Sequence, residues 1–268
     1  MAQAGHRVVP AAEHSGIDDI ERIDSCLMER ASVSTTTDGD GRHYWRTYWR
    51  THATASLDAA SSVQVQRTWQ GRPIGEEQFG QIVDWVIDHL SPEPENAILD
   101  LCCGNGSITH ALAERAGTVV GVDFAEDLLR HVDQQRFPNI RLQCNDIRDC
   151  EFPADSFDRI LLYGGLQYLT QGETVILLRN LRQWLSPGGR VLLGDIPDAD
   201  RMWSFFDTPQ RKATYFEQLV TGAPIIGTWF APAWLTHLAR DCGFADATVL
   251  YQPEAFSFRH FRFELLLR

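Results

Sequence analysis

The chain predicts an α/β fold: a mostly parallel sheet with helices on both faces. Three observations carry this. From Ala97 onward, short runs rich in Val, Ile and Leu alternate with segments of helical spacing. The run Ile98-Leu99-Asp100-Leu101 leads straight into a glycine-bearing turn, Cys102-Cys103-Gly104-Asn105-Gly106, and Ser107–Ala113 continues as a helix. An acid, Asp123, closes the next strand, Val119–Asp123, at the distance of about twenty residues that a strand–turn–helix nucleotide site requires.

Residues 1–41 form an N-terminal extension, with a short acidic helix at Ile17–Arg30 and a polar, mobile stretch at Ser32–Gly41. His43–Arg50 sets aromatic pairs four residues apart, on one helical face. Residues 42–73 therefore read as a helical segment that packs on the main domain or forms a lid over a ligand.

The core spans residues 74–268. Phe79, Ile82, Val83, Val86, Ile87 and Leu90 recur at helical spacing and stop near Ser91-Pro92. Strands are expected at 97–102, 118–122, 140–144, 157–163 and 189–195, with helices near 107–115, 125–134 and 172–185. Ser186-Pro187-Gly188-Gly189 is a turn feeding the fifth strand. A cap segment rich in aromatic residues, 197–232, then breaks the rhythm. A helix follows at Ala233–Cys242, and strands at Ala247–Gln252 and Phe261–Leu267, the last able to pair at the sheet edge.

Composition narrows the class. The 268 residues are 44% hydrophobic and 22% charged, ordinary for a soluble globular protein. A chain of this length buries roughly 70–75% of its extended surface. The formal net charge of -12 argues against nucleic acid or an anionic membrane as partner. The six cysteines show no C-x-x-C pair and no zinc spacing, so no metal is expected and reduced thiols fit best. There is no signal-like N-terminus and no run of about eighteen apolar residues, so a cytoplasmic location is expected. Lys212 is the only lysine, which leaves little room for a lysine base or Schiff base.

Taken together, Leu99–Gly106, Val122-Asp123-Phe124, Asn145-Asp146-Ile147, Phe157-Asp158 and Leu185–Gly189 resemble, in order and spacing, the class I S-adenosylmethionine-dependent methyltransferases of the small-molecule type. The resemblance covers about residues 74–268. It implies a Rossmann-like seven-stranded sheet whose last strand is inserted antiparallel, S-adenosylmethionine as cofactor and S-adenosylhomocysteine as product.

It also implies a set of cofactor contacts, which the residue types support. Asp100 would face the cationic methionine end. Gly104 and Gly106 lack a Cβ and let the backbone approach closely. Asp123 would grip the ribose and Phe124 lie against the adenine. Asp146 would accept from the adenine amino group beside the Ile147 N–H, and Tyr163 would line the sulfonium end. Cys102 stands where this family often has glycine, so any contact there would come from its backbone. The alternative for Asp100 and Asp146 is that they cap turns.

Methyl transfer is an in-line displacement in which the protein mainly positions a nucleophile and excludes water, worth roughly 7–11 kcal/mol of barrier. Many relatives carry a His-His pair after the fourth strand; here Leu166-Gln167-Tyr168-Leu169 stands there. Neither Gln167 nor Tyr168 is a base near neutral pH, but both can orient an acceptor. Asp195, ending the fifth strand, is the candidate for proton handling; Asp198 and Asp200 suit turns and caps better than a metal. Trp69, Arg72 and Trp203 are candidate acceptor contacts, although the cap rings could equally form a second small core. Arg67, Arg72, Arg201 and Arg211 could read a phosphate or carboxylate.

The sequence thus favours an enzyme, a cytoplasmic methyltransferase acting on an O, N or C nucleophile of a small molecule in biosynthesis, as monomer or homodimer. A non-catalytic cofactor-binding module or partner subunit is the alternative. The fourth strand ends Tyr163-Gly164-Gly165, not Asn/Asp-Pro-Pro-Tyr/Phe, which disfavours a nucleic-acid or protein substrate. A nicotinamide-dependent oxidoreductase is disfavoured because Cys102 and Thr109 occupy glycine sites of its loop.

Overall fold

The computed structural model describes residues 41–69 (backbone only at Trp69), 72–221 and 226–268. The expected helix Ile17–Arg30 and most of the polar stretch after it lie outside the described residues.

Seven strands make one sheet: β1 (Ala97–Leu101), β2 (Thr118–Asp123), β3 (Ile140–Cys144), β4 (Phe157–Tyr163), β5 (Leu185–Pro197), β6 (Ala247–Tyr251) and β7 (Arg262–Leu267). Their spatial order is β3-β2-β1-β4-β5-β7-β6. β1 to β5 run parallel, and β7 pairs antiparallel with both β5 and β6. The last strand is therefore inserted, not at the edge, and all six of its residues are buried. An apolar strand ending Leu265-Leu266-Leu267 gains more burial between two strands than at an edge.

Alternation along the strands sorts the core into two faces. On one, Leu99, Leu101, Ile160, Leu162, Val191 and Leu193 pack under helices α4 (Gln171–Trp184) and α6 (Pro232–Asp241). On the other, Ile98, Leu161, Leu192 and Leu266 meet Ile82, Val86 and Leu90 of α2 (Glu76–Leu90) and Leu112 of α3 (Ser107–Ala113). A capping box, with Thr170 and Glu173 exchanging hydrogen bonds, starts α4.

Two elements differ from expectation. The helix near 125–134 is a single turn, Glu126–Leu129. Asp133 ends it by accepting the N–H groups of Gln135 and Arg136, a local turn that competes with helix continuation. The turn Ser186–Gly189 does not precede β5 but bulges from within it: Leu185 pairs with Phe157, and pairing resumes at Arg190 with Arg159.

Residues before the core form α1 (Arg42–Ala55), a one-turn helix (Ser61–Gln64) and a strap that ends in a two-residue ladder, Thr68–Trp69 with Arg72–Pro73. In the cap segment, a short helix (Met202–Phe205) and α5 (Pro209–Thr221) close over a satellite core of Phe206, Ile226 and Phe261, against which Met202, Phe205, Tyr215, Trp229 and Phe258 pack.

Candidate active site

Parallel strands deliver their carboxyl ends to one edge, and the order reverses between β1 and β4, so a crevice opens there. The turn after β1 holds three residues in the left-handed region, Cys102 at φ 57°, Gly104 at 56° and Gly106 at 77°. At Gly106 a Cβ would meet Val132 Cγ2 at 2.7 Å, so glycine is required there. The Gly104 N–H donates to Asp123 Oδ2 at 3.0 Å and the Ala125 N–H to Oδ1 at 2.8 Å. That carboxylate pins the turn to the end of β2. Burial raises its pKa to about 6, against the pull of these N–H groups.

Asp100 is more deeply set. The Thr109 hydroxyl donates to it at 2.7 Å, and burial pushes its pKa to about 7. A carboxylate so placed lacks a cation.

Past β3, Asp146 accepts the Arg148 N–H at 3.1 Å and so caps its own turn. Both its oxygens also take the Arg148 guanidinium, at 3.1 and 3.2 Å, and Arg42 Nε lies 3.4 Å away. Arg148 further binds Glu173 at the start of α4 and the Tyr168 carbonyl. Beside it, Ile147 is buried in the core. Phe124 is half-buried against Trp49, Ala53, Ala125 and Leu128.

Helix α1 packs against Tyr168 and against the cluster of Ala125 and Leu128 beside Phe124. Trp45 is buried with its ring 4.6 Å from that of Tyr168, and Trp49 is 5.9 Å from the same ring. Asn105 donates to the Ser61 carbonyl and to Gln64 Oε1. Val65 rests against Gly104, 3.1 Å from where a Cβ would stand.

Arg67 continues the strap inward. Its guanidinium lies 4.8 Å from the Tyr163 ring centre and pairs with Asp195. Arg262 of β7 reaches the same carboxylate, at 3.4 Å. These cations hold Asp195 below the ordinary aspartate pKa although burial opposes them. Tyr163 turns its hydroxyl to Glu264 and its ring to Gly194. Gln167 accepts from Arg262 at 2.8 Å.

The structure thus brings Asp100, Cys102, Gly104, Gly106, Asp123, Phe124, Asp146, Ile147, Tyr163, Gln167, Tyr168 and Asp195 to one edge of the sheet. Trp203 stands apart, half exposed and packed on Tyr215 and Phe216. Arg72 is exposed on the small ladder. Arg201 lies over the Tyr251 ring and Arg211 pairs with Asp207. Trp45, Trp49, Arg148, Arg262, Gln252 and Glu264 were not singled out by sequence reasoning as site residues. Only Arg262 and Glu264 left a signal: ionisable residues inside an apolar strand.

Residues 98–189 match the model of a family described as a methyltransferase domain. The demethylmenaquinone methyltransferase of Lysinibacillus sphaericus is 28% identical over 61% of this chain and 71% of its own length. The ubiquinone biosynthesis O-methyltransferase of Coxiella burnetii is 33% identical over 54% of this chain and 62% of its own. A solved structure described as the DhpI-SAM-HEP complex superposes with a TM-score of 0.60 at 17% identity, over 87% of this chain and 100% of that one. The methyltransferase-domain match, the relatives and the shared fold support a class I S-adenosylmethionine-dependent methyltransferase.

The residues of this methyltransferase fit the family's cofactor. Asp100 is a buried carboxyl group that accepts from the Thr109 hydroxyl, and each Asp123 oxygen accepts one N–H, which leaves a lone pair for a hydroxyl. In this methyltransferase no helix among the described residues is long and apolar enough to cross a membrane.

Proposed function

We propose that this chain transfers a methyl group from S-adenosylmethionine to a small-molecule acceptor in a biosynthetic pathway. The observation that carries this is the Asp123–Gly104 clasp at the end of β1 and β2, with α1 packed against Tyr168. Relatives named for demethylmenaquinone and ubiquinone biosynthesis support the acceptor class.

S-adenosylmethionine supplies an activated methyl group on a cationic sulfur. Asp100 offers the negative charge that its cationic end calls for, and Asp123 offers acceptor lone pairs to the ribose. Asp146 and the Ile147 N–H would meet the adenine, with Phe124 against its face. Tyr163 would line the sulfonium end, with any contact at Cys102 coming from its backbone. Trp45, Trp49 and Tyr168 exclude water, which strengthens every charge interaction inside. Gln167 and Tyr168 orient the acceptor. Arg72 and Trp203 are exposed away from these residues, and Trp69 stays a candidate acceptor contact. Asp195 is ionised but held by two guanidiniums, so its basicity is low. An acceptor that is already nucleophilic suits this site best.

Calorimetry with S-adenosylhomocysteine, followed by assay of its formation from S-adenosylmethionine over an acceptor pool, tests the reading. Micromolar binding that Asp123→Ala weakens at least about tenfold, with product formed, supports it. Tight binding without turnover on any acceptor would instead indicate a binding module, and no binding at all would remove the reading.

A further inference from the structure

Three side chains from distant parts of the chain converge on Asp195, and a fourth, Gln167, joins through Arg262. Arg67 arrives from the strap, Arg262 from the start of β7, Gln167 from the turn after β4, and Gln252 from just past β6. Arg262 Nη1 donates to Gln167 Oε1 at 2.8 Å and to the Asp195 carbonyl, and Gln252 donates to Asp195 Oδ1 at 3.3 Å. The guanidiniums are only 13% and 8% exposed. Asp195 itself sits in the left-handed region at φ 58°, a conformation that costs a non-glycine residue and collects at functional sites.

Charge and hydrogen bonding are both left incomplete. Two buried cations share one carboxylate. A further buried acid, Glu264, faces Trp85, Gln252 and Tyr163 instead, and burial raises its pKa to about 7. Each guanidinium carries five N–H donors, and Arg262 Nε is buried with no partner. Buried ionic networks are normally satisfied. The guanidiniums are also held rigid by rings: Phe258 and Phe261 lie 5.3 and 5.2 Å from Arg262, and Tyr163 lies 4.8 Å from Arg67.

This cluster stands at the end of β5, three strands from the Asp123 clasp on β2, roughly 14 Å at the spacing of a sheet. The crevice between β1 and β4 lies between the two. We infer that Arg67 and Arg262 recognise an oxyanion on the acceptor, a carboxylate or a phosphate, and that Asp195 keeps both guanidiniums in position until it arrives. The planar fork of arginine matches such a group with paired N–H···O bonds. The inference rests on the methyltransferase reading and names the class of its acceptor.

The test uses the full chain loaded with saturating S-adenosylhomocysteine, titrated with sodium benzoate and, separately, with phosphate, against sodium chloride of equal ionic strength. Saturable thermal stabilisation by benzoate or phosphate beyond chloride is expected, and the stronger of the two tells which oxyanion the acceptor carries. Arg262→Gln should weaken that anion at least tenfold while S-adenosylhomocysteine binding changes less than twofold, and Arg262→Lys should recover it only in part. Two results overturn the inference: neither anion outperforms chloride, or Arg262→Gln weakens the nucleoside as much as the anion. The wild-type titration decides even if Arg262→Gln fails to fold. Failure of S-adenosylhomocysteine to bind the wild-type chain would strike the methyltransferase reading instead, and the anion titration, run without it, would still report on the two arginines.

Discussion

The carboxylate of Asp123 and the backbone N–H of Gly104, nineteen residues apart, meet at 3.0 Å and close the crevice floor. The same carboxylate takes the Ala125 N–H at 2.8 Å. Asp123→Ala removes both anchors and the ribose acceptor together. Hydrogen bonds to a charged group are worth about 1.5–3 kcal/mol each, so S-adenosylhomocysteine affinity should fall by roughly 10- to 100-fold or more. Calorimetry checks it, and unchanged affinity would place the nucleoside elsewhere.

Asp100 makes ligand-free stability depend on pH. Its folded pKa of about 7 lies above the unfolded value near 3.9. Between these values the folded state binds the extra proton, so stability falls as pH rises from about 4 to 7. Asp123, at about 6, and Glu264, at about 7, act with the same sign. Asp195, depressed by Arg262 and Arg67, acts oppositely, and its contribution is lost only as pH drops through the acid range. Asp100→Asn keeps an acceptor for Thr109 and should flatten the decline between about pH 4 and 7 in urea denaturation. Because an ionised Asp100 matches a cationic ligand, wild-type affinity for S-adenosylmethionine should rise over the same interval. A variant with the wild-type slope would exonerate this residue.

Gly194 cannot accept a side chain. A Cβ there would lie 2.2 Å from Tyr163 Cδ2, inside a packed ring. Gly194→Ala must push Tyr163 away from Arg67 and Glu264, at about 1–3 kcal/mol of stability. Urea midpoints should show that loss, and kcat should fall alongside it. Full activity in a stable variant would mean that Tyr163 plays no part in positioning.

Trp45 ties α1 to Tyr168. Trp45→Ala should speed hydrogen exchange across Arg42–Ala55 by about tenfold or more and leave the sheet strands unchanged, since the two faces of the core do not involve it. KM should rise more than kcat falls. Equal exchange in variant and wild type would show that the helix is held by its other contacts alone.

The legible part of this protein was the part encoded over short stretches. The turn Cys102–Gly106, Asp123, and helices such as Glu76–Leu90 follow from periodicity, turn chemistry and spacing within some twenty residues. Cap rings were harder. Trp203 and Trp229 have the composition of a ligand wall, yet they cover Phe206 and Phe261, because any aromatic run beside an open sheet edge first buries its own surface. Asp146 shows a similar limit: its cap role on Arg148 was readable locally, but the reach of Arg42 across the crevice was not.

Local pattern was enough to reach the fold and the cofactor class. The surroundings of Asp195 came from the folded chain alone. Its partners Arg67, Arg262 and Gln252 lie 128, 67 and 57 residues away in the chain. The physical reason is that β7 slides between β5 and β6, and that a strap from before the core crosses the strand ends. Contacts made by strand order and crossing segments leave no periodic trace in the residues that make them.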